Sequence, residues 1–543
     1  MKRLFLIILL IVNVLCLAQN KVKPAETIQK LNTTLYIIDN FYVDSTDLAK
    51  LTEEAIIAML KNLDPHSAYI AAKDVKKANE NLEGNFEGIG VMFNILRDTI
   101  IVVSAVPGGP SERVGIMAGD RIVTIDGEES FGKKVNNEYV TKHLRGKKGT
   151  KVILGIKRDN DPEIIDFEVV RDKIPLNSIN TYFMVDEHVG YIKLDQFAAK
   201  SVEEFENALE DLKTQGMRSL VLDLRGNSGG YLQTAFGLGN EFLGCNKTVV
   251  FTEGLKSEKA VFKTDMDGNF RRGRLVVLID EGSASASEIV SGAIQDWDRG
   301  VLIGRRSFGK GLVQRPFNLP DGSQIRLTTA RYYTPTGRCI QRSYEKGSED
   351  YFKEMTKRLE HGEYYHADSI KFPDSLRYFT LDSGRTVYGG GGIMPDIFMP
   401  ADTTYTTKLF TDLIRKNVIN SFCIDYVLKN REQINENYPE FGVYNENFII
   451  DDAMIEEVKK IAEQKNVKWD DEQYQRSEMW IKLRIKGIIA QDVWDIDKFY
   501  QVVSKDDKMI QKAVEVLNSK KEYRRLLGKQ RFFEKFFEKN DGE

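Results

Sequence analysis

Residues 274–314 read RLVVLIDEGSASASEIVSGAIQDWDRGVLIGRRSFGKGLVQ. Leu275–Ile279 is a short apolar run of strand length, rich in β-branched residues. A tight polar turn with Gly282 follows, in which Ser and Ala alternate. Ile289, Ala293, Ile294 and Trp297 then recur at helical spacing. Ser283, Ser285 and Ser287 therefore sit where a buried strand gives way to a helix. Unpaired backbone N–H groups at such a point can stabilise developing negative charge. Ser285-x-x-Glu288 also fits a capping box, which needs no chemistry beyond starting a helix. Downstream, Lys310 lies between Gly309 and Gly311, with Gln314 four residues on.

A serine nucleophile served by a lysine base needs that amine neutral near pH 7. Free lysine titrates near ~10.4, so the site has to lower this by about 3 pH units, about 4 kcal/mol, through burial or nearby positive charge. Phe308, Leu312 and Val313 make the neighbourhood apolar enough for partial desolvation. Positions 310 and 314 share one face whether the segment is strand or helix, so Gln314 can orient the amine in either case.

The run GSASASEIVSGAIQDWDRGVLIGRRSFGKGLVQ resembles the core of the carboxyl-terminal processing proteases, also called tail-specific proteases. In that family a serine, a lysine twenty-five residues later and a glutamine four beyond form the active site. The resemblance implies Ser285, Lys310 and Gln314, and it selects Ser285 from the three serines. Arg225-Gly226-Asn227-Ser228-Gly229-Gly230 is similar to the family's DLRxNxGG phrase, whose glycine backbone donates to the oxyanion. By that resemblance Gly229 or Gly230 acts with the N–H of Ala286, while Asp223 and Arg225 hold the loop. Leu63-Asp64-Pro65-His66-Ser67 resembles the LDPHS phrase that ends the family's N-terminal helical segment. His66, beside a proline in a turn, reads as structural rather than catalytic. TTARYYTPTGRCIQ (328–341) and YGGGGIMPDI (388–397) are similar to two further phrases of the family core.

Residues 83–172 form a separate unit. Phe86-Glu87-Gly88-Ile89-Gly90-Val91, the run IIVVSAV and the long stretch from Pro107 to Gly127 resemble a bacterial PDZ domain. Successive N–H groups of a glycine-flanked loop can hold a terminal carboxylate, and the adjoining strand edge can pair with an extended peptide. Gly88, Ile89, Gly90 and Val91 would be that loop. A helix near 135–144 would supply the other wall, with Val140 and Leu144 either lining the groove or filling the unit's own core.

The chain of 543 residues is long enough for several domains. With 77 basic and 81 acidic residues and a net charge of −4, nothing calls for a nucleic-acid partner. Lys2 and Arg3 precede an apolar run from Leu4 to Leu15, broken only by Asn13 and followed by Cys-Leu-Ala-Gln. This pattern, residues 1–19, is that of a signal peptide cut after about Ala18, and too short for a comfortable membrane span. It predicts an exported chain, periplasmic or associated with the cell envelope. Cys245, Cys339 and Cys423 would remain, widely spaced and odd in number, which fits neither a disulfide framework nor a metal cluster. His361 and His366, five apart with no partner motif, make no metal site.

The expected architecture is multidomain α+β: an N-terminal helical region (20–82), the PDZ domain (83–172), an α/β protease core of ClpP/crotonase type (173–400, with a charged and aromatic surface insertion at 342–386) and a C-terminal helical domain (401–543). In the last, Trp480, Ile481, Leu483, Ile485, Ile488 and Ile489 form the apolar heart. Phe532, Phe533, Phe536 and Phe537 in the tail suit packing on a partner or on the core better than contact with a membrane, which is not required. The expected function is an exported serine endopeptidase that acts on proteins near their free C-termini, with the PDZ domain reading the tail and no metal or cofactor. Homodimerisation and an adaptor protein are both compatible with the C-terminal helices. The alternative is a PDZ scaffold whose protease-like core is inactive. A Ser/His/Asp hydrolase fares badly, since none of the five histidines lies in a catalytic-looking phrase.

Overall fold

The computed structural model describes residues 24–158, 161, 163–403 and 405–529. The signal-like segment and the tail phenylalanines lie outside them.

The core sheet has the strand order Thr181–Met184, Val189–Lys193, Ser219–Asp223, Arg274–Ile279, Val301–Gly304, Ile397–Phe398. All neighbouring pairs are parallel except the first. Parallel strands are covered on both faces, which is why they read as unbroken apolar runs. The alternation of side chains separates the two faces. Leu220, Leu222, Leu275, Val277 and Leu302 pack beneath helices Ser201–Thr214, Leu232–Phe242 and Ala286–Asp296. Val221, Val276, Leu278, Val301 and Ile303 point the other way, onto Met509, Ile510, Ala513, Val516 and Leu517.

That second contact corrects the expected C-terminal domain. Helices from Lys408–Arg415 to Ile496–Ser504 do build a core of their own, including Ile481, Ile485, Ile488 and Ile489. Trp480 stacks on Tyr405 at 4.3 Å, at the margin of that core. Helices Lys508–Asn518 and Lys520–Leu526 instead complete the sheet, and the Tyr523 hydroxyl accepts from the Leu275 N–H at 2.9 Å. The chain thus leaves the protease core and returns to finish it.

A second sheet carries strand Gln324–Tyr333, paired antiparallel with Leu312–Asn318, with Thr248–Gly254 and with the short strand Ala68–Ile70. The N-terminal region is stitched to the core through that last pairing. The helix Ala72–Glu83 then ends at Gly84 in a left-handed conformation (φ +71°) and leads into a ribbon, Asn85–Gly88 with Asp172–Pro175. This ribbon joins the PDZ-like unit to the rest at both its ends. The unit itself is an antiparallel sheet ordered Val91–Leu96, Thr99–Ala105, Arg121–Ile125, Lys151–Lys157, Ile164–Val170 around its own apolar core.

The segment expected as a surface insertion is not all surface. Its helix Ser348–Glu360 buries Tyr351 (1% exposed) and Arg358 (2%) against the core. Arg338, just before it, is wholly buried in an ion pair with Asp296.

Because the last helices belong to the core, Leu517→Ala destabilises it by about 2–5 kcal/mol, as for other buried leucines. Denaturant unfolding followed by tryptophan fluorescence measures this. Glu515→Ala, on the exposed face of the same helix, leaves the midpoint unchanged.

Candidate active site

The strand Arg274–Ile279 runs through the turn 280–284 into the helix Ala286–Asp296, with Ser285 at the junction. Ser285 has φ +54° and ψ −110°, a conformation rare outside glycine. Holding it there costs about 1–3 kcal/mol, so the surroundings must over-determine it. They do so from three sides. The Ser285 N–H donates to Glu288 Oε2 at 2.9 Å, which is the Glu288 half of the capping pattern. The Ser285 carbonyl accepts from the Tyr332 hydroxyl at 3.0 Å. The neighbouring Ala284 N–H donates to the Asn227 carbonyl at 3.0 Å.

Asn227 is fully buried and binds two loops together. Its side-chain amide donates to the Leu194 carbonyl at 2.8 Å, and its Oδ1 accepts from the Gly229 N–H at 2.8 Å. Its backbone carbonyl also accepts from the Ser287 hydroxyl. Gly229 lies against the serine: a Cβ there would stand 2.8 Å from both the Ser285 Cβ and the Ala284 carbonyl oxygen. At Gly230 a Cβ would fall 2.0 Å from the Phe197 oxygen. Neither position admits a side chain. Ala286 is the first residue of its helix, so its N–H has no intrahelical partner. Asp223 and Arg225 make the loop-holding ion pair expected of them at 2.6 Å, and Arg225 also reaches Asp507 at 2.8 Å.

Lys310 precedes the strand Leu312–Asn318 rather than lying in it. In an extended chain residues four apart stand about 13 Å apart. From the glycine loop ahead of that strand, Lys310 Nζ donates to Gln314 Oε1 at 3.0 Å. Burial lowers the lysine's pKa, and Arg326 adds to this, while Glu288 and Asp64 oppose it. The other end of the Gln314 amide donates to the backbone carbonyl of His66. Burial and the nearby Lys310 push the His66 pKa down to about 4, so its ring is neutral at physiological pH.

Glu288 joins the two halves. Fully buried, it accepts from the N–H groups of Ser285 (2.9 Å), Gly309 (2.7 Å) and Lys310 (2.9 Å) and from the Ser307 hydroxyl. Burial raises its pKa to about 6 against the pull of those donors. The sequence shows Glu288 only as a capping partner. Tyr332 and His66 lie in phrases similar to the family's, but nothing local marks the Tyr332 hydroxyl or the His66 carbonyl as part of the site, because both reach it from distant segments.

Ser285, Ala286, Gly229, Gly230, Lys310, Gln314 and Tyr332 line one cleft of about 500 Å³, whose apolar walls include Leu82, Ile289 and Leu312. A larger cavity, about 700 Å³, lies elsewhere, between the core sheet and the C-terminal helices. Arg225, Asp223 and Asp507 line it, and all three are bound in the ion pairs above.

In the PDZ-like unit, Gly88 ends the ribbon strand, Gly90 has φ +73° and Val91 opens the strand Val91–Leu96, which lies at the end of its sheet. Ile89 is 2% exposed and its carbonyl accepts from Ser111. Val140 and Leu144, candidates for the groove wall, belong to the unit's core at 0% and 5% exposure. Of the two readings left open for them, the structure has the core one.

Residues 188–347 match the model of peptidase family S41, residues 88–169 that of the PDZ domain, and residues 409–495 that of a family of unknown function, DUF8443. The carboxy-terminal-processing protease of Bartonella bacilliformis is 38% identical over 305 residues, covering 55% of this chain and 69% of its own. The carboxy-terminal processing protease CtpB of Bacillus subtilis is 32% identical over 363 residues, covering 66% and 73%. Among solved structures, the photosystem II D1 C-terminal processing protease is 28% identical, with a TM-score of 0.33 over 57% of this chain and 89% of that one.

Glu288→Gln places an amide N–H₂ against N–H donors. Each buried group so left unsatisfied costs about 1–3 kcal/mol, which denaturant unfolding reads directly. The pH dependence has a defined sign. The folded pKa of about 6 lies above the ordinary 4.5, so this group's contribution is fully present below 4.5 and lost as pH rises through 6. Relative to Glu288→Gln, the wild type gains stability as pH falls from 7 to 4.5.

Proposed function

The chain belongs to the carboxy-terminal processing proteases, serine peptidases that carry a PDZ domain, and on that premise we propose that it is an exported endopeptidase working with a Ser285–Lys310 dyad. The observation that carries the reading is that Ser285 and Lys310 open into one cleft while Gln314 holds the amine.

Ser285 Oγ attacks the scissile carbonyl while neutral Lys310 takes its proton, and the resulting ammonium later protonates the leaving amine. Gln314 has a specific part in this. Its carbonyl oxygen accepts one N–H of the amine and so directs the nitrogen lone pair away from itself, free to accept the serine proton. The tetrahedral oxyanion is held by backbone donors, each such donor being worth about 2.7–4 kcal/mol. The Gly229 N–H is already engaged by Asn227, so Gly230 and Ala286 are the pair best placed for it. Ile289 and Leu312 make the adjoining wall apolar and favour uncharged substrate side chains.

Substrates on this reading are proteins with free C-termini. The loop Gly88–Val91 and the open edge of Val91–Leu96 take the terminal residues by strand addition. Residues 1–19 direct the chain to the periplasm or cell envelope, and a second copy or an adaptor is compatible with the outer surface of the C-terminal helical bundle. A PDZ scaffold with a silent core remains the competing reading. It would bind tails without cutting.

Cleavage of an unfolded protein with an apolar C-terminal tail separates the two. Wild type cuts, while Ser285→Ala and Lys310→Ala bind the tail and do not. If all three cut alike, the dyad is wrong; if all bind and none cuts, the scaffold stands. Because the base must be deprotonated and burial lowers its pKa, the rate climbs with pH and levels off below lysine's ordinary 10.5. Lys310→Arg shows no activity at any pH.

A further inference from the structure

We infer that Tyr351, on the helix Ser348–Glu360, is a positioning residue for Lys310, acting through His66 and Gln314. The inference rests on the dyad reading above and names what keeps the base aimed.

A glutamine amide can present either end to a lysine, and only its oxygen is useful there. The end is chosen by the second partner: Gln314 Nε2 donates to the His66 carbonyl, which leaves Oε1 for Lys310. Whatever fixes the His66 peptide therefore fixes the base. Asp64 Oδ1 takes the His66 and Ser67 N–H groups at 2.8 Å each. On the other side, His66 Nε2 meets the Tyr351 hydroxyl at 2.9 Å, with the rings edge to face at 5.2 Å.

The same helix also braces the lysine loop. The Tyr351 ring lies 3.9 Å from the Arg342 guanidinium, which lies 4.0 Å from the ring of Phe308, two residues before Lys310. The Arg342 backbone N–H donates to the Gly309 carbonyl at 3.1 Å. Arg358, two turns further along the same face of the helix, donates to the Ser307 carbonyl at 2.9 Å. This helix lies beyond the residues that match the peptidase family model, 188–347. Most of these contacts are packing. The Tyr351–His66 hydrogen bond is the directional contact between this helix and the His66 turn; Tyr351→Phe removes it together with the hydroxyl's weaker approach to Arg342 and Gln341, and leaves the ring packing in place.

The test measures kcat, KM and the pH dependence of kcat on an unfolded protein substrate. Wild type is compared with Tyr351→Phe, Gln314→Ala, the double variant and Ser285→Ala. Losing one positioning hydrogen bond should lower kcat about tenfold with KM within about twofold. The rising limb of the pH profile should move to higher pH, because a less constrained lysine is better hydrated. The charged groups that face Lys310, namely Glu288, Asp64 and Arg326, are the same in both proteins, and the nearby His66 ring, with its pKa near 4, is neutral across the rising limb. The double variant should be no slower than Gln314→Ala alone. A wild-type kcat and pH profile in Tyr351→Phe overturns the inference, as do losses that multiply in the double variant. If Tyr351→Phe does not fold, His66→Ala takes its place in the same cycle, since it deletes the ring and keeps the carbonyl. Activity in Ser285→Ala would sink the dyad itself. An inactive Ser285→Ala beside an unaffected Tyr351→Phe sinks only the role of Tyr351.

Discussion

One buried carboxylate holds this site together. Glu288 takes three backbone N–H groups and a hydroxyl, and those donors come from both the serine turn and the lysine loop. Burying a carboxylate is expensive unless its oxygens are satisfied. Here the donors fall short of cancelling the burial, which is why the pKa stays raised, at about 6. The arrangement also works against the base. A negative Glu288 stabilises the protonated form of Lys310, opposing the desolvation that lowers its pKa. The structure therefore trades some basicity for position, and makes up part of the difference with Arg326.

Position matters because the backbone at Ser285 would not choose its conformation unaided. A positive φ at a non-glycine residue, beside a glycine that tolerates no Cβ, survives only inside a rigid frame. The frame is the parallel sheet covered on both faces. Its second cover arrives more than two hundred residues after the serine, in helices Lys508–Asn518 and Lys520–Leu526. The helical bundle between them is thus an excursion from the protease core, not an appendage to its end.

What the sequence reveals follows the range of the interactions. The strand at 274–279 and the helix after Ser285 are set by local periodicity, and both were readable. Lys310 and Gln314 do meet, but from a loop and the strand that follows it, not by sharing the face of one regular element. Val140 and Leu144 show the limit of a helical pattern: it marks an inward face and cannot say whether inward means groove or core. The last helices read as part of a separate domain because amphipathicity names no partner. Burial of Tyr351 and Arg358 was hidden for the same reason, inside a segment whose composition looks solvated.

The contacts that finish the base are the least local of all. The His66 carbonyl reaches Gln314 across 248 residues of sequence, and Tyr351 reaches His66 across 285. Neither partner has a reason, in its own neighbourhood, to look functional: one is a backbone carbonyl in a turn, the other an aromatic residue in a charged helix. Closing loops of that length carries an entropic cost that only the assembled protein offsets. No short fragment around the serine and lysine contains the acceptor that fixes Gln314. The motif specifies which groups do the chemistry, and the fold decides whether the amine points where the chemistry needs it.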